Sequence, residues 1–211
     1  MSDVVKAAWA TLAGKYAADQ VMIKALWEEL EKKYSSPRRH YHNFTHIEHL
    51  LGLSRQYQSF LKEKDLVDFA IFYHDIVYNV LRKDNEQRSG MLAFKRLKYL
   101  GLSEQQRETI KRFIEATQTH VLPAAIADPS DLSFFLDFDM SILAADWPAY
   151  ETYTLQVRSE YRLYPDRLYK PGRKQFLQKS LLGGDIFQTA VFKGRCEATA
   201  RANMERELRL L

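Results

Sequence analysis

Apolar residues recur at helical spacing along almost the whole chain, and this pattern constrains the fold more than any other feature. Met22, Leu26 and Leu30, for example, follow one another at steps of four residues and therefore lie on one face of a helix. We find no pair of segments that alternates as neighbouring β-strands do. Glycine and proline, which tight turns between strands require, number only 8 and 6 in 211 residues. The sequence therefore predicts an all-α fold.

Proline, glycine and serine residues interrupt the helical pattern and give approximate helix boundaries. Ser103-x-x-Gln106 and Thr45-x-x-Glu48 have the spacing of capping boxes, which favour the start of a helix. The predicted helices cover about 4–16, 18–34, 45–57, 65–80, 85–100, 103–119, 131–145, 148–164 and 196–211, with loops at about 165–172 and 183–185.

The composition excludes several classes of protein. Cys196 is the single cysteine, so an internal disulfide and a cysteine-rich zinc site are both excluded. No apolar run approaches the ~20 residues that span a bilayer, and the first residues lack the apolar stretch of a signal peptide. The net charge of +4 comes from basic residues spread along the chain, without the basic stripe typical of nucleic-acid binding. We expect a cytoplasmic protein that binds neither a membrane nor a specific nucleic acid.

Two apolar segments carry acidic residues. The segment 69–81 is apolar on nearly every side and is predicted to be a buried helix, yet it has His74 and Asp75 in its middle. A buried carboxylate is costly unless it is paired with a cation or bound to a metal. A later apolar segment contains Asp137 and Asp139, which face different directions on a helix, so one of them is expected to face a given site. Salt bridges or helix caps are the alternative explanation for both segments.

Four of the six histidines lie within ten residues, namely His40, His42, His46 and His49. We interpret His40 and His49 as core histidines without a function. One hypothesis accounts for the remaining pattern: His46, His74, Asp75 and one later aspartate bind a divalent metal. Nitrogen and oxygen ligands without a thiolate suit Mn, Fe, Co, Ni, Mg or Zn, and open coordination positions favour catalysis over a structural role.

The order of these residues resembles the HD superfamily of metal-dependent phosphohydrolases, in particular a subgroup of small bacterial proteins described as predicted metal-dependent HD-superfamily phosphohydrolases. The resemblance rests on motifs in the order Arg39-His-Tyr-His-Asn-x-x-His46-Ile, Tyr73-His-Asp-x-x-Tyr78, Asn85-Glu86-x-x-Ser89, Thr117-x-x-His120, Leu136-Asp-x-Asp-x-x-Ile-Leu143 and Arg158-x-Glu-Tyr161. It implies a single HD-type domain over 1–211 with the metal site in the core of a helix bundle. The domain core would cover about 39–164, with flanking helices at 1–34 and 172–211 packed on it.

By position, the resemblance implies that the metal ligands are His46, His74, Asp75 and Asp137. Asp139 is the alternative to Asp137 as the last ligand. One ion is expected, or two, because His120 falls where members with two metals have an additional histidine. Many nucleotidase members carry a glutamate three or four residues after the His-Asp pair, where this sequence has Tyr78 and Asn79. This departure leaves the acid or base of the reaction open.

The activity that the resemblance implies is hydrolysis of a phosphate ester of a nucleotide or other small phosphorylated metabolite, through a metal-activated water. Asp75 acts at the metal, and Glu86 or His120 orients the water or protonates the leaving oxygen. Phosphate is held by cationic and polar side chains, and a guanidinium fits it in a bidentate way. The candidate substrate-binding residues are Arg39, Asn43, Lys83 and Arg158. Asn43 either orients a ligand histidine or caps a helix.

Two further functions stay open at this point. Some HD-fold proteins hold two irons and oxidise their substrates with oxygen, and Glu86 and His120 are available to complete such a pair. A metal-bound HD domain also serves as a nucleotide-sensing or interaction module without catalysis. The apolar C-terminal residues Leu208, Leu210 and Leu211 are compatible with a homodimer.

Overall fold

The structure, a computed structural model, describes residues 2–123 and 130–211. Within these ranges the chain forms helices and no β-strand, which confirms the all-α prediction. The α-helices are α1 (Ser2–Gly14), α2 (Gln20–Tyr34), α3 (Phe44–Gln56), α4 (Lys64–Tyr73), α5 (Asn85–Leu97), α6 (Glu104–Ala116), α7 (Ser130–Met140), α8 (Trp147–Glu160), α9 (Asp166–Leu182) and α10 (Ala190–Leu210). Short 3-10 helices cover Gln58–Phe60, Lys98–Leu100 and Ser141–Ala144.

Two compact units make up the chain, Met1–Phe135 and Leu136–Leu211. The first contains α1 to α6 and the beginning of α7, and the second contains the end of α7 with α8, α9 and α10. The single HD-type domain over 1–211 stays a prediction.

Helix α4 is the most deeply buried element of the first unit. Every residue from Leu66 to Tyr73 is buried, and α3, α5 and α6 pack against the helix. Trp9 of α1 makes edge-to-face ring contacts with Phe69 and Phe72, whose centroids lie 6.0 and 5.2 Å away. A helix enclosed by others has no face toward water, which explains why α4 is apolar on nearly every side.

The predicted extension of this helix to about residue 80 is wrong, because α4 ends at Tyr73 and His74 is its C-terminal cap. The last carbonyls of a helix have no partner within the helix. Here, His74 Nδ1 donates to Ile71 O at 2.9 Å, and the Tyr34 hydroxyl donates to Phe72 O at 3.0 Å. These side-chain hydrogen bonds stabilise an end of the helix that the apolar sequence does not reveal.

Helix α3 begins at Phe44, next to the predicted start near Thr45, but its cap differs from the prediction. The start of α6 agrees with the prediction. Asn43 caps α3, and its side-chain oxygen accepts a hydrogen bond from Thr45 N at 2.8 Å. Thr45 therefore lies inside the helix and does not form the predicted capping box. The capping box of Ser103 and Gln106 is confirmed, with both of its reciprocal hydrogen bonds present.

A buried ion pair joins helices of the second unit. Arg173 of α9 and Glu207 of α10 make two N–O contacts of 2.7 and 3.0 Å, and both side chains are 8% exposed. Tyr150 of α8 donates its hydroxyl to the same carboxylate at 2.5 Å. Such additional hydrogen bonds offset the cost of removing two charges from water. The Glu207 carboxylate therefore connects α8, α9 and α10.

The predicted loop at 165–172 is wrong, since α9 begins at Asp166 and contains Pro171. A proline inside a helix removes a backbone hydrogen bond and normally interrupts the helix. Contacts on both sides of Pro171 stabilise helix α9. Arg158 Nη2 binds the Asp166 carboxylate in the first turn at 2.7 Å, and the buried ion pair of Arg173 follows two residues after the proline.

Candidate metal centre

Three of the predicted ligands form a cluster in the first unit. His74 Nε2 lies 3.2 Å from His46 Nε2 and 3.0 Å from Asp75 Oδ2, and His46 Nε2 lies 4.0 Å from the same carboxylate oxygen. The side chains of His46 and His74 are 1% and 2% exposed, whereas that of Asp75 is 17% exposed. The three ligand atoms are close enough together to hold a metal ion, and Asp75 is the ligand that solvent reaches.

The packing of α3 on α4 brings the two histidines together. His46 lies in the first turn of α3, on the same buried face as Ile47 and Leu50. This face packs against α4, whose last carbonyls are followed directly by His74 and Asp75. One ligand thus comes from the start of a helix and two come from the end of its neighbour.

The protonation of His74 is constrained by its hydrogen bond to the backbone. A carbonyl oxygen accepts and cannot donate, so the contact between His74 Nδ1 and Ile71 O at 2.9 Å places a hydrogen on Nδ1. In the neutral imidazole, Nε2 then carries a lone pair and is directed at the cluster. A carbonyl partner on the outer nitrogen is the usual way in which proteins orient a histidine ligand.

The cluster is suited to holding a cation. When His74 is neutral, its Nε2 lone pair lies 3.0 Å from Oδ2 of Asp75, and an ionised carboxylate can only accept hydrogen bonds. Two acceptors at this distance repel each other in a buried environment, where the energetic cost is large. A proton on His74 Nε2 or a metal ion between the two groups removes this conflict.

The ligand set fits a divalent metal. An ion about 2.1 Å from two ligand atoms at right angles separates these atoms by about 3.0 Å. The distances of His74 Nε2 to Asp75 Oδ2 and to His46 Nε2, 3.0 and 3.2 Å, agree with this geometry. Two imidazoles and a carboxylate suit Mn, Fe, Co, Ni or Zn, and less well Mg, which prefers oxygen ligands. Three protein ligands also leave positions for water or substrate, as in catalytic sites.

Aromatic side chains without a predicted role lie beside the cluster. The ring of Tyr41 is 4.9 Å from that of His46, and the ring of His42 is 6.0 Å from it and 4.4 Å from that of Tyr78. Tyr41, His42 and Tyr78 are half-buried. Because His42 precedes α3, helical periodicity does not predict which way it faces. Its position four residues before His46 is the one signal in the sequence.

The predicted substrate-binding residues of the first unit have other contacts. Arg39 lies beside the cluster, where its guanidinium donates to backbone carbonyls on both sides of the site, as described below. Asn43 is a helix cap, one of its two predicted roles, and its amide also donates to His40 O at 3.0 Å. Lys83 is exposed, and its carbonyl accepts a hydrogen bond from Gln118 at 2.9 Å. Phosphate binding by these residues stays a prediction.

Arg158 belongs to the second unit and closes the end of α8. Its guanidinium donates to the carbonyls of Tyr161 and Tyr164 at 3.0 and 3.1 Å, and it also binds the Asp166 carboxylate at 2.7 Å. A cation at this position stabilises the negative end of the helix dipole. Its predicted role in substrate binding is likewise untested.

Glu86 and His120 lie at the ends of two helices that a side-chain hydrogen bond joins. Glu86 lies in the first turn of α5, and His120 follows the end of α6 with a φ of 53°, which non-glycine residues rarely adopt. Their neighbours Gln87 and Gln118 are joined by a side-chain hydrogen bond of 2.6 Å. Ser89 of α5 in turn accepts a hydrogen bond from Val77 N at 3.0 Å, just beyond the cluster. Glu86 and His120 are both half-buried.

Asp137 belongs to the second unit, where it is fully buried. Its carboxylate accepts hydrogen bonds from the backbone amides of Gln188 and Thr189 at 2.6 and 2.8 Å. Burial raises the pKa of Asp137, and these bonds oppose the increase. The carboxylate thereby stabilises the start of α10 at Ala190, before the predicted start near 196. Whether Asp137 or the half-buried Asp139 is the last metal ligand stays a prediction.

The interpretation of His40 and His49 as core histidines is wrong, because both are exposed. His40 lies in the turn before α3. His49 lies on the solvent side of α3, whereas Ile47 and Leu50 on the other side are fully buried.

The chain was also compared with known proteins. No protein-family model matches it, and no curated protein and no solved structure matches it significantly. None of the described helices is both long and apolar enough to cross a membrane.

Proposed function

We propose that this protein is a metal-dependent phosphohydrolase that cleaves a phosphate ester of a nucleotide or other small phosphorylated metabolite. The observation that carries the proposal is the convergence of His46, His74 and Asp75, whose ligand atoms lie within 4.0 Å of one another. These residues come from two separate segments of the sequence, in the order of the HD motif that the sequence resembles. A structural ion pair needs only one imidazole beside the carboxylate, whereas this cluster has two buried imidazoles.

The cluster would hold the ion from its buried side. A divalent ion bound there supplies a water of lowered pKa and a positive charge for the phosphoryl oxygens. Ile71 O holds His74 with Nε2 directed inward, so the imidazole does not rotate away. Asp75 is the exposed ligand, and the substrate is expected to approach from its side.

A second group must move a proton, since the leaving oxygen of a phosphate ester is a poor leaving group without one. We assign this role to Glu86 or His120. Two hydrogen bonds support the assignment. Val77 N, in the segment that follows Asp75, donates to Ser89 of α5. Gln87 of α5 in turn donates to Gln118 after α6, so both helix ends are held next to that segment. Lys83, which is exposed and whose carbonyl accepts a hydrogen bond from Gln118, is a candidate for binding phosphate, as are Arg39 and Asn43.

Elemental analysis of gently purified protein tests the proposal. The wild type is compared with Asp75→Ala, which removes one ligand, and with His49→Ala, which removes an exposed histidine of the same unit. We expect near-stoichiometric Mn, Co, Ni, Zn or one Fe in the wild type and in His49→Ala, and none in Asp75→Ala. A panel of nucleotides and sugar phosphates is then assayed for phosphate release with the metal-loaded protein.

Other results would point to a different function. Two irons per chain together with oxygen uptake would identify an oxygenase. A nucleotide that binds and is not turned over would identify a sensor module. No metal in the wild type after reconstitution with any of these ions would contradict the proposal.

A further inference from the structure

Arg39 joins the two chain segments that flank the cluster. Its Nη1 donates to His42 O at 3.1 Å and to Asp75 O at 2.6 Å, and its Nη2 donates to Ile76 O at 3.0 Å. His42 lies in the turn before α3, which carries His46, and Asp75 is itself a member of the cluster. One guanidinium therefore connects the backbone on the His46 side with the backbone on the Asp75 side.

The guanidinium is also fixed in orientation. It lies over the rings of Tyr34 and Tyr78, 4.8 and 5.4 Å from their centroids, and a cation over an aromatic face is stabilised by the ring electrons. Tyr34 is buried and donates its hydroxyl to Phe72 O, near the end of α4. The arginine is thus anchored to the same helix end from which His74 and Asp75 project.

The position of Asp75 depends on this contact. Beyond Tyr73 the chain has left α4, so the carbonyls of Asp75 and Ile76 are outside the regular hydrogen bonds of the helix. A carboxylate on an unsupported turn samples many orientations, and fixing it costs conformational entropy when a ligand binds. The planar guanidinium can bind several carbonyls at once, whereas the ammonium of lysine is a single point charge.

We propose that Arg39 is a positioning residue that sets the metal affinity of the cluster by holding the backbone of Asp75 against that of the turn before His46. This inference rests on the proposed metal site and goes beyond it, since it assigns Arg39 to the protein backbone and not to the phosphate of the substrate.

The test is a titration of Arg39→Lys and of the wild type with Co²⁺. Calorimetry measures the affinity, and the visible absorption of the bound cobalt reports the geometry of the site. Lysine keeps the positive charge, so a change in affinity reports the lost geometry and not a change in electrostatics. We expect affinity at least about tenfold weaker, the usual lower bound for losing a residue that orients a metal ligand. We also expect an altered cobalt spectrum, which a purely structural role would not change.

Arg107→Lys is the matched control. Arg107 belongs to the same unit, donates to the carbonyls of Leu102 and Phe94 at 3.2 and 3.1 Å, and lies over the ring of Phe94. It therefore makes the same kinds of contact with backbone that carries no ligand. We expect it to lower the unfolding free energy as Arg39→Lys does, while cobalt affinity and spectrum stay as in the wild type.

The outcomes separate the inference from the proposed function. A wild type that binds neither Co²⁺ nor any of Mn²⁺, Ni²⁺, Zn²⁺ and Fe²⁺ overturns both. Wild-type affinity and spectrum in Arg39→Lys overturn the inference alone. A third outcome also overturns the inference alone. If Arg39→Lys binds cobalt normally and only its binding of inorganic phosphate is lost, Arg39 binds the substrate and does not position the metal ligand.

Discussion

His74 Nε2 and Asp75 Oδ2 lie 3.0 Å apart, although the side chains of neighbouring helical residues normally point about 100° away from each other. They meet because α4 ends at Tyr73 and the chain turns after His74. A proton on His74 Nε2 lets the imidazole donate to the carboxylate, and a bound metal takes the place of this proton. Metal binding at the site is therefore expected to release a proton.

Replacing Asp75 with alanine should remove the metal and leave the fold. The carboxylate is 17% exposed and follows α4, so we expect far-UV circular dichroism to show the same helix content. Metal content and phosphohydrolase activity should fall to background. At a pH where His74 is neutral, loss of the carboxylate removes its repulsion with the Nε2 lone pair, so the metal-free variant should be at least as stable as the wild type, as measured by urea denaturation in EDTA. Retention of stoichiometric metal would show that Asp75 is not a ligand.

His46→Ala and His49→Ala form a matched pair on α3. His46 is buried in the cluster and His49 is exposed. We expect His46→Ala to weaken cobalt binding at least about tenfold, since only two of the clustered ligands remain. His49→Ala should change neither the affinity nor, beyond about 0.5 kcal/mol, the free energy of unfolding. Equal loss of affinity in the two variants would mean that the cluster is not the metal site.

The candidate site residues that could be predicted from sequence are those whose polarity is unusual for their surroundings in the chain. His74 and Asp75 were found because charged or polar residues in an apolar segment need a partner, and His46 because of the histidines around it. The end of α4 at Tyr73 could not be predicted, since it depends on hydrogen bonds from Tyr34 and Arg39, distant in sequence.

The same limit explains the errors in the second unit. Pro171 predicts a loop by its local chemistry, but the ion pair of Arg173 with Glu207 and the contact of Arg158 with Asp166 stabilise a helix there. Tertiary contacts of this kind outweigh local preference. Local signals were correct where the contact is itself local, as in the capping box that begins at Ser103.

Asp137→Ala tests whether this carboxylate holds the turn before α10, binds the metal, or does both. Loss of its hydrogen bonds to the amides of Gln188 and Thr189, which precede α10, should lower the unfolding free energy in EDTA by roughly 1.5–3 kcal/mol, the usual range for a hydrogen bond to a charged group. As the predicted fourth ligand, it should also weaken cobalt binding. Asp139→Ala tests the alternative ligand, and weaker cobalt binding in this variant alone would assign the last ligand to Asp139. Unchanged cobalt affinity in Asp137→Ala would leave the residue with a structural role alone.

The stability of the first unit should depend on the ionisation of Asp68. Burial raises the pKa of Asp68 above its usual value, although hydrogen bonds from Lys64 and Ser54 act in the opposite direction. The folded state then holds this proton more tightly than the unfolded state. The resulting stabilisation is complete below the unfolded pKa of about 3.9 and is lost as pH rises through the raised pKa.

Asp68→Asn removes this titration. Urea denaturation at a series of pH values from about 4 to about 7 should show the variant gaining stability relative to the wild type as pH rises. A difference between Asp68→Asn and wild type that is constant with pH would mean that the Asp68 pKa is not raised by folding.

His120→Gly separates the backbone of this residue from its imidazole. The φ of 53° suits glycine, so we expect the unfolding free energy to change by less than about 1 kcal/mol. If the imidazole moves the proton of the leaving group, the kcat of the metal-loaded protein for a phosphate ester with an alcohol leaving group, such as a nucleoside 5′-monophosphate, should fall by about 10²–10⁴-fold, while cobalt affinity stays the same. His40→Gly, at an exposed position, is the control. Unchanged kcat in His120→Gly would assign the proton transfer to Glu86, whereas lost cobalt affinity would make His120 a ligand of a second ion.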